Sequence, residues 1–295
     1  MQAFFQIYAN IAKKRRRKQF FSYLFLAICQ TITNFAVYNK KTMLDELLLR
    51  FPAITLDEMS SVKLMNRTDT KFVTTVPKLL QLLEMAQEDY YAQEISGERN
   101  MLYDTTYFDT TGFDMYKQHQ FGHVNRQKIR FRTYVSSNLQ FMEVKTKNNH
   151  GRTKKKRIEV SDMDLNDDTK REFLERTLRF DADTLIPHMH NYFRRVTLVN
   201  KAKTERLTID TSLQFNNLLT SESRDMGPLV IIELKRDGLV FSPVLDMLLR
   251  LRIHPHGFSK YCMGAALTND SLPVNRFKVK LRDVGKILGE NEKMR

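Results

Sequence analysis

The chain has 295 residues, with 48 Lys plus Arg against 34 Asp plus Glu for a net charge of +14, no Trp, and few Gly or Pro. That length suits one large domain or two modest ones, and the composition excludes low-complexity architecture. The two cysteines, Cys29 and Cys262, lie far apart, which argues against a disulfide framework or a thiolate metal site and fits a reducing compartment.

Residues 1–42 hold eight basic residues and no acidic one, so the remainder carries only +6. Lys13–Lys18 is wholly basic, and the apolar block Phe20–Cys29 that follows is about ten residues long, short of the ~20 a spanning helix needs. Three readings of this extension stand open: upstream sequence that is dispensable, a membrane tether, or a secretory signal. Met43-Leu44-Asp45-Glu46-Leu47 starts an amphipathic helix, and the composition changes sharply there.

From Met43 onward, Thr55 reads as a helix cap before Asp57 and Glu58. Arg67 to Thr74 alternates as a strand, and Pro77 opens a helix to about Glu88 with Leu79, Leu80, Leu82, Leu83 and Met85 as its buried stripe. A strand from Leu102 to Asp109 and a helical turn around Phe113 to His119 come next. The strands Arg126–Tyr134 and Leu139–Lys147 flank Ser136-Ser137-Asn138, a turn of hairpin length; Asn148 to Gly151 is a further turn, and Arg152–Val160 a third strand. Asp164 to Phe180 is a charged covering helix. Strands follow at Arg194–Val199, Glu205–Asp210 and Leu229–Lys235, then helices at Pro243–Arg252 and Tyr261–Leu267. Residues 271–295 form a basic tail or helix. About eight strands, mostly joined as hairpins, predict an α+β fold built on an antiparallel β-barrel with helices packed around the outside.

Four of these strands alternate charge with apolar residues: Lys128-Ile129-Arg130-Phe131-Arg132, Glu143-Val144-Lys145, Glu233-Leu234-Lys235 and Asp69-Thr70-Lys71. A period of two sends the charges to one face. Rolled into a barrel, they surround a cavity with cations. Burying such a cluster costs several kcal/mol per unpaired ion, a cost that a bound polyanion offsets. A triphosphate matches Arg forks and Lys ammonium groups, and Glu233 and Glu143 suit Mg²⁺ or Mn²⁺ as hard oxygen ligands. No Gly-rich phosphate loop or kinase catalytic loop is present in the sequence.

Taken singly, each feature has a plainer explanation. Lys154-Lys155-Lys156-Arg157 reads as a solvated basic run, and Glu143 with Lys145 as a surface pair of small worth. His188-Met189-His190 and His254-Pro255-His256 read as loops, Asp104 and Asp109 as turn caps. The aromatic residues between the basic ones fall on the opposite strand face.

Together, Arg67-Thr68-Asp69-Thr70-Lys71-Phe72, Tyr107-Phe108-Asp109-Thr110, Lys128 to Tyr134, Phe141 to Lys145, Ile232 to Lys235 and Phe258-Ser259-Lys260-Tyr261 resemble the VTC domain. This is the polyphosphate polymerase domain of vacuolar transporter chaperone complexes, within the triphosphate tunnel metalloenzyme (CYTH-like) superfamily. The resemblance covers about Leu56 to Leu267, and a catalytic domain at 43–270 is expected from it. It implies a tunnel-shaped barrel in which ATP donates phosphoryl groups to inorganic polyphosphate. It assigns Lys71, Arg130, Arg132, Lys145, Arg195 and Lys260 to catalysis and Glu233 to a Mn²⁺ or Mg²⁺ ion, with Arg194 adjacent to the tunnel arginine. Lys128, Glu143, Lys154, Lys155, Lys156, Tyr192, Arg206, Lys235 and Ser259 are the expected substrate-binding set. The superfamily's Glu-x-Glu-x-Lys strand is replaced by Arg67-Thr68-Asp69-Thr70-Lys71, which disfavours a simple triphosphatase. Hydrolysis of ATP or tripolyphosphate, and non-catalytic binding of polyphosphate or RNA, are the rival functions, with no specific nucleic acid expected. The expected location is cytoplasmic, with membrane association through the first residues or a membrane-protein partner.

Overall fold

The computed structural model describes residues 43–60, 67–149, 153–238 and 240–290. The readings of residues 1–42, and part of the turn at Asn148 to Gly151, lie outside these. Among the described residues no helix is long and apolar enough to cross a membrane. Residues 43–49 are helical, as expected from Met43. The chain divides at Leu47/Leu48 into two units, and the second contains all the elements below.

The second unit begins with β1 (Ala53–Ile54) and the short α1 (Leu56–Ser60). Thr55 caps α1 in a reciprocal box: Glu58 N donates to Thr55 Oγ1 at 3.3 Å, and Thr55 N donates to Glu58 Oε2 at 2.8 Å. Next come β2 (Arg67–Thr75), α2 (Val76–Ala86), β3 (Tyr90–Gln93), β4 (Met101–Thr110) and α3 (Asp114–Gln120). In α2 the buried stripe is Leu79, Leu82, Leu83 and Ala86.

Three strands follow, β5 (Arg126–Tyr134), β6 (Leu139–Lys147) and β7 (Thr153–Val160), and then α4 (Asp168–Thr177). The β5–β6 turn places Asn138 at φ 53°, a left-handed conformation that Asn tolerates. Helix α4 starts at Asp167, whose side chain accepts from Lys170 N. Its Phe173 and Leu174 bury Ile129, Phe131, Met142 and Val144, so it covers one face of β5 and β6, the surface role read from its charge pattern.

The chain continues through β8 (Leu185–Asn200), β9 (Glu205–Asn217), β10 (Ser223–Asp225), β11 (Leu229–Asp237), α5 (Pro243–Arg250), α6 (Lys260–Thr268) and α7 (Lys278–Leu288). The residues His188 to His190 belong to β8 and not to a loop. Pairing with β4 from Leu185 to Arg195 extends the strand well before Arg194, a tertiary contact that overrides weak local alternation. Beyond residue 270, Leu281 and Val284 of α7 share a core with Tyr261.

The eleven strands form one sheet; eight lie in the order β2-β11-β9-β8-β4-β5-β6-β7, with the pairings along this path antiparallel, while β3 pairs with β8 and β1, and β10 with β9. Among the described strands, β2 and β7 are not hydrogen-bonded to each other. The sheet nevertheless curls. The charges of Glu233 on β11 and Lys71 on β2 both act on Lys145 of β6, although five or more inter-strand steps of ~4.8 Å would set them more than ~20 Å apart in a flat sheet. The free edge of β2 is covered by the segment before α6: His256 N donates to Lys71 O at 2.7 Å, and Phe72 bridges Pro255. Such cover protects an edge from pairing with other chains.

Helix α6 packs on the concave face. Tyr261, Cys262, Met263, Ala265 and Ala266 join Tyr103, Tyr107, Phe193 and Phe215 in one core. Asp109 anchors this packing, accepting from Thr110 N, Met115 N, Tyr116 N and Tyr261 Oη at 2.8, 2.9, 2.9 and 2.6 Å. It therefore caps the turn after β4, as read from sequence, and beyond that reading holds the first N–H groups of α3 and ties them to α6. The close approach of α6 to β9 depends on Gly264, where a Cβ would lie 2.7 Å from Phe215 Cδ1. We expect Gly264→Ala to destabilise the fold by about 1–3 kcal/mol by overpacking, despite the higher helix propensity of Ala. Urea unfolding measures this, and an unchanged or raised midpoint would contradict it.

Candidate functional site

The strand registers turn the charge alternation into rungs. Lys128 lies opposite Lys145, which lies opposite Lys155. The next rung is Tyr107, Arg130, Glu143 and Arg157. On the other side of the sheet, Lys71 lies opposite Glu233, which lies opposite Thr208, and Asp69, Lys235 and Arg206 form the neighbouring rung. Directly opposed residues share a face, so these rungs all present their side chains to the concave side.

Three carboxylates hold the cations there. Glu143, 1% exposed, accepts from Arg130 Nε at 2.7 Å and Lys155 Nζ at 2.8 Å. Asp210, 3% exposed, takes both Arg195 Nε at 2.6 Å and Nη2 at 2.8 Å, together with Lys260 Nζ. Glu233 pairs with Lys71, and with Lys235 at 3.4 Å. Burial alone would raise the Glu143 carboxyl, but Arg130, Arg132 and Lys155 outweigh it and hold it down to about 2. The same balance holds Asp210 and Glu233 well below the usual carboxylate range, through Arg195 and Lys260 in one case and through Lys235 and Lys71 in the other.

Cations remain in excess. Among the described residues, Lys128, Arg132 and Lys145 have no carboxylate ion-pair partner. Lys128 donates to Ser259 Oγ at 2.6 Å, the hydroxyl that caps α6, and Arg132, 5% exposed, donates to Thr105 Oγ1 at 3.2 Å. Lys145 is solvent-exposed, yet the protein mass around its ammonium pushes it down to about 8; Glu233 opposes this, and Arg130, Lys71 and Lys128 add to it. Lys260 is likewise at about 8, through burial first, with Asp210 opposing and Arg195 assisting. Tyr107 accepts from Arg130 Nη1 at 3.3 Å. Its phenol is lowered to about 8, because Arg130, Arg132 and Lys260 outweigh the burial that would raise it.

Phe131, between the basic residues of β5, lies on the opposite face as expected, but rings from other strands support the cationic layer from its own face. Arg132 and Arg195 sit 5.3 and 5.1 Å from the Tyr103 ring centroid, and Lys260 sits 4.2 Å from that of Phe193. The rings belong to β4 and β8, so reading β5 by itself does not place them. Cation–π attraction partly replaces the water these cations lose.

The structure thus brings together Lys71, Lys128, Arg130, Arg132, Glu143 and Lys145 with Lys155, Arg195, Glu233, Lys235, Ser259 and Lys260. Arg206 lies beside Lys235 and acts on its charge. It does not bring in Lys154, Lys156 or Tyr192. Lys154 and Lys156 are exposed on the other face of β7, opposite Thr146 and Val144. Tyr192 lies opposite Asp104 and packs on His190, whose Nε2 meets Asp104 Oδ1 at 2.6 Å; Asp104 is therefore a partner in that pair and not a turn cap. Arg195 follows Phe193 on the inward face of β8, while Arg194 between them donates to Asn100 O. The bulge, an extra residue on β9 between Thr211 and Gln214, turns Asp210 inward opposite Arg195. Asp210 was missed in the sequence, although Arg206, Thr208 and Asp210 alternate with Leu207 and Ile209 in the pattern that marked the other strands.

Among solved structures, the chain is similar to a Bacillus halodurans protein provisionally assigned as an adenylate cyclase, at 14% identity over 66% of this chain and 96% of that one, with a TM-score of 0.45. It is also similar to a Hippeastrum protein provisionally assigned as an adenylyl cyclase and described as having a dominant triphosphatase activity, at 14% identity over 72% and 99%, with a TM-score of 0.43. None of the curated proteins compared with it matches. The VTC domain pattern matches residues 66–269, a span that runs from β2 through α6 and contains every residue of the cationic face described above, and the chain therefore belongs to the VTC domain family.

Proposed function

We propose that this chain is a polyphosphate polymerase, transferring the γ-phosphoryl group of ATP to the end of an inorganic polyphosphate chain. The observation that supports this best is the Lys128–Lys145–Lys155 rung beside Arg130 and Arg132. Like charges directly opposed across strands are destabilising, and a linear polyanion lying on them removes that repulsion.

A terminal phosphate oxygen of the chain attacks the γ-phosphorus in line. The bond from that phosphorus to the β–γ bridging oxygen breaks, and ADP leaves. Phosphoryl transfer of this kind needs positioning and charge neutralisation more than covalent help from the protein. Arg130, Arg132 and Arg195 offer planar forks for phosphate oxygens, and Lys71, Lys145 and Lys260 offer ammonium groups. The nucleophile is already an anion, so no protein base is assigned.

Among the described residues no three His, Cys, Asp or Glu side chains cluster. Glu233 still provides one carboxylate, and cross-strand from it Thr208 Oγ1 is buried without a partner. Mg²⁺ and Mn²⁺ commonly take one or two carboxylates and complete their shell with substrate phosphates and water, so Glu233 fits such an ion with a triphosphate present. A divalent cation held there supplies charge neutralisation at the phosphate oxygens. The chain's own part is to free Glu233 from Lys71, whose ammonium can turn to phosphate instead.

Incubation of the purified protein with ATP and Mn²⁺ is expected to produce a ladder of polyphosphate on a gel. No ladder from folded protein, with or without a primer, overturns the proposal, and free phosphate without chains favours hydrolysis. Arg130→Ala and Glu233→Ala are each expected to cut chain synthesis by about 10²-fold or more, the scale of removing one transition-state partner. Their binding effects differ: Arg130→Ala weakens tripolyphosphate, whereas Glu233→Ala leaves its metal-free affinity equal or higher.

The pH response follows from the same groups. Lys145 and Lys260 titrate near 8 in the fold against ~10.4 for an unperturbed Lys, and Tyr107 near 8 against ~10. Between these values the unfolded chain holds more protons, so stability rises with pH from about 8 to about 10 and is lost as pH falls through 8. The melting temperature of the ligand-free protein is expected to rise across this window. Millimolar tripolyphosphate, which favours the charged lysines, is expected to raise the melting temperature most at pH 7 and to flatten its dependence on pH. A melting temperature unmoved by tripolyphosphate would place these charges outside any phosphate site.

A further inference from the structure

The cationic face does not stop at the residues assigned to ATP. On β5, Arg132, Arg130, Lys128 and Arg126 occupy every second position, a row about 20 Å long at ~3.4 Å per residue. That is longer than a triphosphate. At the Arg126 end the row meets the C-terminal segment, which lies outside the matched family span of residues 66–269. The turn Asn275–Phe277 supplies Arg276, and α7 supplies Lys280.

Two glycines leave room for these cations. The Arg276 guanidinium lies over Gly122, in the space a Cβ there would take, so a side chain at 122 would displace it. The Lys280 ammonium sits 3.1 Å from where a Cβ of Gly257 would be, two residues before Ser259, which holds Lys128. The segment is anchored by Phe277, Leu281 and Val284 in the core, and Tyr116 Oη donates to Pro273 O at 2.9 Å. Among the described residues, no carboxylate pairs with Arg126, Lys128, Arg276 or Lys280. The acid on this part of α7, Asp283, faces His256 and Lys286 instead. Half-buried His119 records the convergence: desolvation first, then Lys128, Arg126, Lys280 and Arg276, hold its imidazole down to about 2. Lys128 also acts on Lys145, so the patch is electrically continuous with the central site.

We infer that Arg126, Lys128, Arg276 and Lys280 form a second anion site that continues the cationic face and holds a condensed phosphate chain several units beyond the triphosphate. The inference rests on the polymerase reading and deepens it. It favours polyphosphate over RNA because nucleic acid needs a stacking face for each base. The Phe277 ring is buried here and Phe121 is the one exposed phenyl ring beside Gly122.

The test measures binding of tripolyphosphate and of long-chain polyphosphate to the full chain. In Arg276→Ala/Lys280→Ala, the long chain is expected to bind about tenfold or more weaker, the loss of one or two charge-assisted contacts, with tripolyphosphate within about twofold. That arm also reports that the variant is folded. Arg276→Gln alone, at an exposed position, gives a smaller loss in the same direction. Lys278→Ala/Arg282→Ala removes the same charge from exposed positions of α7 and is expected to change neither ligand. An equal loss for both ligands, no loss, or the same loss in the Lys278/Arg282 variant overturns the second site alone. So does a single-stranded RNA that binds as tightly as the long chain and loses as much in the double variant. A wild-type chain that binds neither phosphate overturns the polymerase reading and this inference together.

Discussion

Repulsion among crowded cations, most of them half-buried, is the constraint around which this fold is arranged. A curved sheet gathers Lys and Arg from β2, β5, β6, β8 and β11 on its concave face, with Lys260 from α6. Each would cost several kcal/mol if buried alone. Glu143, Asp210 and Glu233 each hold two of them, and Tyr103 and Phe193 place ring faces beneath others. The carboxylates make the cluster foldable without neutralising it. Lys128, Arg132 and Lys145 keep no carboxylate partner among the described residues, and it is this excess that the proposed function uses.

The same arrangement explains how the two sides of the sheet differ. Ile129, Phe131, Met142 and Val144 lie between the charged positions and pack beneath α4, so one strand serves a core and a polar face at once. On the concave side the apolar part of the surface is filled by α6, whose entry strap crosses the edge of β2 and whose capping serine reaches Lys128. Strap, helix and β5 are thereby joined at the point where the cationic face passes to the C-terminal segment.

The strands of the cationic face were legible because charge alternation is a local signal. β5 and β6 occur with the expected bounds, and Lys128, Arg130 and Arg132 share the expected face. Weaker alternation hid other elements. His188 to His190 read as a loop because the first half of β8 is extended by its neighbours rather than by its own pattern. Tyr103, Tyr107 and Phe193 could not be placed, because a ring on β4 or β8 meets a cation on β5 only through pairing across the sheet. Lys154, Lys155 and Lys156 are equivalent as a basic run, but the pleat of β7 puts Lys155 on Glu143 and turns the other two away.

By itself the sequence determined which residues carry charge, their period of two, the position of most helices and strands, and the set of motifs that marks the VTC domain. These are properties of neighbours along the chain, where sterics and propensity act directly. Only the tertiary structure decided the curl that brings Lys145 to Glu233, the side of β8 on which Arg195 lies, and the β9 bulge that turns Asp210 toward Arg195 and Lys260. The contact of Arg276 and Lys280 with the end of β5 was decided there too. Each depends on register and packing between segments far apart in sequence, and a one-residue slip in register would turn every one of those side chains to the other face.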